Sequence, residues 1–131
     1  MQKIDCTVRS KIFNDFNFRQ SAKVTAAVNS TYNEVFWFYP SASSENNDKY
    51  VVYNYQEQLW YFGDMPRTAW ADRGIYDYPI AASTDGFLYE HEKDLNDGSN
   101  SPATGLNSFI ESSQMDIGDG EQFTFVSRVI H

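Results

Sequence analysis

Residues 34–63 contain three short runs of apolar and aromatic residues, separated by polar segments. The runs are rich in Val, Tyr, Phe and Trp, residue types that favour β-strands, and they cover Glu34–Tyr39, Lys49–Tyr55 and Leu59–Gly63. A weaker strand pattern, Ala22–Val28, precedes them. With short connections between them, the four segments predict an antiparallel meander of about 40 residues, which is the size of one propeller blade.

Two of these runs lack the alternation of apolar and polar residues that marks a strand with one solvated face. Val35–Tyr39 and Leu59–Phe62 are continuous apolar and aromatic stretches, so we expect both faces of these strands to be covered. Helical patterns are scarce in the chain, and other sheets are therefore the expected cover. The predicted structural core is aromatic and consists of Trp37, Tyr53, Trp60, Tyr61, Trp70 and Tyr89.

The flanking segments complete an all-β prediction. Val8, Ile12 and Phe16 lie at helical spacing and predict a short helix or a covering arm within an N-terminal arm, 1–21. The blade-like unit, 22–63, is followed by an irregular second unit, 64–117, and a terminal strand, 118–131. We predict one β-rich domain over 1–131, whose antiparallel four-stranded meanders resemble propeller blades and form an incomplete propeller or a fragment of one.

The second unit is predicted to begin with a connector, Met65–Tyr78, and to continue with two strands, Ile80–Ser83 and Phe87–His91. Asp85 and Gly86 between the strands are a two-residue hairpin signal that permits positive φ angles. The hairpin around Asp85 lies about 50 residues after a similar pattern at Ala26–Trp37, a spacing near the period of kelch-type repeats.

The chain is acidic, with 18 Asp and Glu against 10 Lys and Arg and a net charge of -8. Nine of the acids and only two of the bases lie from Asp85 onward. This balance argues against tight binding of nucleic-acid phosphates, although DNA can pass such a surface without adhering. Cys6 is the single cysteine, so no internal disulfide forms. No apolar run approaches the ~20 residues of a membrane span, and the expected site of synthesis is a cytoplasm.

Candidate chemistry is sparse, and we predict neither a cofactor nor a catalytic site. A polar loop resembles a calcium-binding loop but is one residue short and lacks the closing Glu, so Asp94, Asn96 and Asp97 are weak metal candidates beside the simpler interpretation as an acidic turn. Asp116, Asp119 and Glu121 are similarly explained by a tight turn. His91, between two glutamates, is interpreted as the solvated edge of a strand.

The segment Tyr53–Trp60 is similar to the second half of a kelch blade, in which a Tyr ends one strand and a Trp begins the next after a polar turn. The Gly-Gly pair expected before the Tyr strand is missing, because Phe38–Ser41 occupies that place.

A second resemblance covers nearly the whole chain. The segments Asn33–Ala42, Tyr50–Tyr55, Arg67–Trp70 and Asp116–Gly120 resemble a family of virion proteins of tailed phages and prophages. Related tail components of short-tailed phages carry β-propellers beneath the portal. The resemblance implies a non-enzymatic structural component of a tail or head–tail connector, in a virion assembled in the bacterial cytoplasm. Its partners would be other tail or connector subunits, its own copies or a longer parent chain.

Two other functions remain open from the sequence. Exposed aromatic side chains would suit a module that binds a host glycan. A propeller-type enzyme acting on carbohydrates would need two converging carboxylates, and the sequence does not single out such a pair among its 18 acids.

Overall fold

The structure is a computed structural model that describes residues 4–96 and 104–106. The chain forms two compact units, Met1–Asp94 and Leu95–His131. In the second unit, Asn96 pairs with Gly105 in an antiparallel bridge, and the Leu106 N–H donates to the Leu95 carbonyl at 3.0 Å. The boundary between the units falls inside the predicted second unit, 64–117. That residues 1–131 form one domain stays a prediction. The predicted terminal strand, 118–131, lies outside the described residues.

The first unit is built mainly from strands. In chain order its elements are helix α1 (Arg9–Asn14), a 3₁₀ segment (Phe18–Lys23), β1 (Thr25–Asn29), β2 (Glu34–Tyr39), β3 (Lys49–Asn54), β4 (Leu59–Asp64), β5 (Arg67–Ala71), β6 (Ile80–Ser83) and β7 (Leu88–Glu90). Strands β1–β4 form a four-stranded antiparallel sheet, the first sheet, and β5–β7 form a three-stranded antiparallel sheet, the second sheet. The all-β prediction is confirmed, and the arrangement is consistent with a partial propeller.

The first sheet has the predicted meander, in the order β1-β2-β3-β4. Its register places Phe36 opposite Val52 and Ala27, so these three side chains share one face of the sheet, which we call the inner face. Trp37 lies on the other side, opposite Val51, and this side is the outer face.

The inner face carries the buried core. Phe38 and Val52 are fully buried, Phe36 and Ala27 nearly so, and Tyr50, Met65 and Trp70 pack against this cluster. Trp70 comes from the second sheet and lies with its ring centroid 5.4 Å from that of Phe36 and 6.1 Å from that of Phe38. Its indole N–H donates to the Val28 carbonyl at 2.9 Å. A sheet therefore covers the inner face, as the sequence predicted.

The cover on the outer face differs from the prediction. Residues 4–23, which we call the arm, lie against it as helical turns, and the ring of Phe16 is 5.9 Å from that of Tyr39. The helical spacing of Val8, Ile12 and Phe16 correctly indicated the helix, but the expectation of sheets on both faces was wrong.

Strand β4 is also more open than its sequence suggested. Its six residues are either exposed or half-buried, and Leu59, Tyr61 and Phe62 are among the exposed ones. The continuous apolar run predicted cover on both faces, whereas β4 is an edge strand of the described sheet. An edge position reduces the cover available on either face, and the run of apolar residues does not reveal that position.

The second sheet contains one strand that the sequence analysis missed. Arg67–Ala71 was expected to be a connector but forms β5, with a register shift between Arg67 and Ala69. The β6–β7 turn also differs from the two-residue prediction. Ser83 N–H donates to the Phe87 carbonyl at 2.9 Å, which leaves a loop of Thr84, Asp85 and Gly86. Only Gly86 has a positive φ, 88°, as in three-residue hairpins that end in a left-handed residue.

Candidate functional site

Three aromatic side chains cluster on the outer face of the first sheet. Trp37 on β2 and Trp60 on β4 are nearly parallel with centroids 5.8 Å apart, and Tyr53 on β3 lies 4.7 Å from Trp60. All three are half-buried. The Trp60 indole N–H donates to the Asp5 carbonyl at 2.9 Å and ties the arm to this cluster. We call these three residues the aromatic cluster, which presents ring faces to whatever packs on this side of the sheet.

The other predicted core aromatics lie elsewhere. Trp70 packs on the inner face, Tyr61 is exposed on β4 and Tyr89 is half-buried on β7. None of the six predicted core aromatics is among the fully buried side chains, which include Phe38 and Val52. A compact Phe or Val fits between two packed layers, whereas a Trp or Tyr is larger and carries a polar atom that needs a partner.

A cavity of about 260 Å³ lies between the arm and the outer face. Its lining is apolar and aromatic apart from Arg9, and consists of Cys6, Arg9, Ile12, Phe13, Phe16, Val24, Trp37, Tyr39, Val51 and Trp60. No carboxylate belongs to this lining. Because this pocket opens to solvent, the arm covers the aromatic cluster only in part.

A polar cluster occupies the second sheet near Trp70. The Arg67 Nε–H donates to His91 Nε2 at 2.9 Å, and the His91 ring lies 4.8 Å from the ring of Trp70. Burial, together with the neighbouring charge of Arg67, lowers the pKa of His91 from 6.5 to about 4. His91 is therefore a neutral hydrogen-bond acceptor inside the packing, and its interpretation as a solvated edge was wrong.

The same cluster continues toward the β6–β7 hairpin. The Arg67 guanidinium carbon lies 4.5 Å from the centre of the Tyr89 ring, and the Tyr89 hydroxyl donates to Asp85 Oδ2 at 2.7 Å. Asp85 also accepts from the Phe87 N–H at 3.0 Å, and this bond is the main cause of its lowered pKa. The Asp85–Gly86 signal thus correctly indicated a turn, and the Asp85 carboxylate stabilises this turn through its two hydrogen bonds. The link from this turn to Arg67 was not evident because β5 was missed.

Two carboxylates interact near the start of β2. Glu34 accepts a hydrogen bond from the Tyr61 hydroxyl, and Asn29 Nδ2 donates to Glu92 Oε1 at 3.4 Å. Partial burial of its carboxyl, and then the charge of Glu34, raise the pKa of Glu92. Glu92 also has a left-handed φ of 60°, which is uncommon for a residue with a side chain. General acid–base catalysis uses carboxyl groups with shifted pKa values, and hydrogen-bonded networks with a purely structural role contain such groups as well.

The weak metal candidates are only partly described. Asp94 is exposed, Asn96 pairs with Gly105, and Asp97 lies outside the described residues, as do Asp116, Asp119 and Glu121. Within 4–96 and 104–106, no group of three or more His, Cys, Asp or Glu side chains is arranged to hold a metal ion. No helix in these ranges is long and apolar enough to cross a membrane.

The chain was also compared with known proteins. The searches found no matching family model, no matching curated protein and no matching solved structure.

Proposed function

We propose that this chain is a non-enzymatic structural component of a tailed-phage tail or head–tail connector. The sequence resemblance suggests the virion, and the open strand β4 is the observation that supports a structural role. In the described part of the chain, β4 pairs with β3 on one edge and with no strand on the other. Its exposed side chains Leu59, Tyr61 and Phe62 are apolar or aromatic.

An edge strand of this kind favours protein–protein contact. Its outer N–H and C=O groups are a template for another strand, and proteins that remain single usually protect such edges with charge, proline or a bulge. Strand β4 contains no proline, and its one charged residue, Asp64, is the last residue of the strand. The proposed partners are therefore other tail or connector subunits and further copies of this chain. The acidic surface would tolerate passing DNA without holding it.

The virion role is tested with particles of the phage or prophage that encodes the chain. Mass spectrometry of purified virions should detect the chain in a fixed ratio to the portal protein. Deletion of its coding region should give particles that lack tails or lose their DNA. Complete, infectious particles without the chain would refute the proposal.

A variant of β4 connects that test to the structure. Leu59→Lys places a charge on the open strand at an exposed position and should reduce the yield of tailed particles. Ile75→Lys makes the same change at a side chain that is 92% exposed and lies outside every strand, so it should leave the yield unchanged. Equal yields from both variants would show that β4 is not a contact surface.

Binding of a host glycan is a second candidate, and the aromatic cluster favours it. Three neighbouring rings on a sheet face resemble the apolar platforms on which sugar rings stack. A glycan array with the purified chain should give hits that disappear in Trp37→Ala, since this ring stacks on Trp60. An array without hits would remove this candidate.

A carbohydrate-active enzyme is the third candidate. The interaction between Glu34 and Glu92 favours it, because one of the two carboxyls has a raised pKa, as a general acid requires. Hydrolysis of a chromogenic glycoside that is lost in both Glu34→Gln and Glu92→Gln would support an enzyme. No activity over a broad set of glycosides would remove this candidate.

A further inference from the structure

The first unit is layered, and its two outermost layers differ in chemistry. The arm covers the outer face of the first sheet, and the second sheet packs on the inner face through Trp70. The surface of the arm and the far side of the second sheet therefore lie at opposite ends of the stack. Both of these end surfaces are apolar and exposed.

The far side of the second sheet carries small apolar residues. The register places Ala69 opposite Ala82, and Ala82 opposite Leu88, while Trp70, Ala81 and Tyr89 alternate onto the side that faces the first sheet. Ala69 is exposed, Ala82 is half-buried and Leu88 is 73% exposed. We call Ala69, Ala82 and Leu88 the alanine face. By the same register, Ala71, Ile80 and Glu90 lie on this side of the sheet as well, so one larger apolar side chain and one acid border the alanine face.

The arm presents large rings instead. Phe13 and Phe18 are stacked with centroids 6.2 Å apart, and Phe16 meets Phe18 edge to face at 4.9 Å. Phe18 is 64% exposed and does not line the cavity beneath the arm, whereas Phe13 is 51% exposed and also lines that cavity. Exposed apolar groups at such density mark interaction sites on soluble proteins.

The two segments that carry these surfaces also have complementary charges. The arm, residues 4–23, contains four bases, Arg9, Lys11, Arg19 and Lys23, and two acids. Residues 67–94, which form the second sheet and its loops, contain six acids and three bases. A basic arm and an acidic second sheet on the same chain attract each other between copies, whereas two arms repel each other.

We propose that copies of this chain associate head to tail, with the alanine face of one copy against the exposed phenylalanines of the arm of the next. The contact is heterologous, because the two surfaces are different and lie at opposite ends of one unit. Such contacts produce a ring if the rotation between copies closes and an open stack if it does not. The inference goes beyond the virion role, since the partner is a second copy whichever particle contains the protein.

Sedimentation velocity of the full chain tests the association. The weight-average sedimentation coefficient should rise with protein concentration and continue past the dimer. Added salt should weaken the association because the attraction between arm and second sheet is screened. A monomer at all concentrations up to several hundred micromolar, a range on the order of weak protein contacts, would overturn the proposal.

Two variants separate the two surfaces. Leu88→Lys puts a cation on the alanine face, and Phe18→Glu replaces a large ring of the basic arm with an anion. Each should weaken self-association by about tenfold or more. Ile75→Lys is the matched control, with the same change at an exposed residue outside both surfaces, and should behave as the wild type. Association of Leu88→Lys as strong as that of the wild type would refute the alanine face.

Mixing the variants distinguishes head-to-tail contact from a symmetric one. Leu88→Lys keeps an intact arm and Phe18→Glu keeps an intact alanine face, so an equimolar mixture should form dimers and stop there. A mixture that stays monomeric would refute the heterologous contact. If thermal unfolding shows that Leu88→Lys does not fold, Ala69→Lys places the charge on the same face at another exposed position.

Discussion

The tyrosine ring that covers Gly63 makes this glycine sensitive to a single added methyl group. Gly63 on β4 lies directly opposite Tyr50 on β3. A Cβ atom at Gly63 would lie 2.7 Å from the Tyr50 hydroxyl oxygen, and 2.8 and 2.9 Å from two ring carbons. Carbon atoms at their optimal separation are about 3.5–4.0 Å apart, so Gly63→Ala requires a displacement of up to roughly 1 Å.

The magnitude depends on whether the ring of Tyr50 can move. Its centroid lies 5.7 Å from that of Phe36 and 6.5 Å from that of Phe38, and both phenylalanines are buried. Because the ring is held against the core, it cannot swing away without breaking these contacts. We therefore expect Gly63→Ala to lower the free energy of unfolding by roughly 1–3 kcal/mol, as for other overpacked sites.

Urea unfolding monitored by tryptophan fluorescence measures this cost. Gly74→Ala is the matched control, because a Cβ atom there meets nothing within 4 Å, and its effect should be close to zero or slightly stabilising. In a Tyr50→Leu background, which lacks the clashing atoms, Gly63→Ala should cost less than about 0.5 kcal/mol. A cost that is unchanged in that background, or equal to the cost of Gly74→Ala, would refute the reasoning.

The remaining predictions concern the core, pH and the hairpin. Phe38→Ala should lower the free energy of unfolding by roughly 3–5 kcal/mol, and Trp60→Ala by only about 2–3 kcal/mol because its ring is half-buried; the reverse order in urea unfolding would contradict the assignment of the core. The pKa of His91 is lowered from 6.5 to about 4, so its neutral form contributes fully above about pH 6.5, and this contribution is lost as the pH falls toward 4. After allowance for partial exposure, protonation of His91 should lower the free energy of unfolding by about 2 kcal/mol. His91→Gln keeps an acceptor for Arg67 and should remove this contribution to the pH dependence of stability. An identical pH profile of stability in the variant would refute this role of His91. Gly86→Ala should cost about 1 kcal/mol in thermal unfolding because of the positive φ, while Gly86→Asn should cost less; equal stabilities would exclude that conformation.

Local patterns were sufficient to predict most of the strands. The ends of Glu34–Tyr39 and Ile80–Ser83 agree with β2 and β6, because β-favouring residues and clear turn signals delimit both segments. Strand β5 was missed because Arg67–Ala71 has only one aromatic residue and two alanines, and a register shift interrupts its pairing with β6. Arg67–Ala71 becomes a strand because it pairs with β6, and the amino-acid composition of the segment does not indicate this tertiary contact.

The candidate site was predicted only in part. The sequence grouped Trp37, Tyr53 and Trp60 with the aromatics of the core, and period-2 alternation across neighbouring strands could have placed these three on one face. The contact between Arg67 and His91 joins β5 to the residue after β7, and no local pattern indicates it. The interaction of Glu34 with Glu92 likewise depends on how the two sheets pack.

Trp70 connects the two sheets of the first unit, and we expect the two sheets to unfold together. Its ring belongs to the second sheet, but it lies against Phe36 and Phe38 and donates its indole N–H to the first sheet at Val28. Separation of the three-stranded sheet would expose one side of the hydrophobic core on the four-stranded sheet to solvent. Amide protons in β2 and β6 should consequently exchange with solvent through one unfolding event that includes both sheets, rather than through separate unfolding of each sheet.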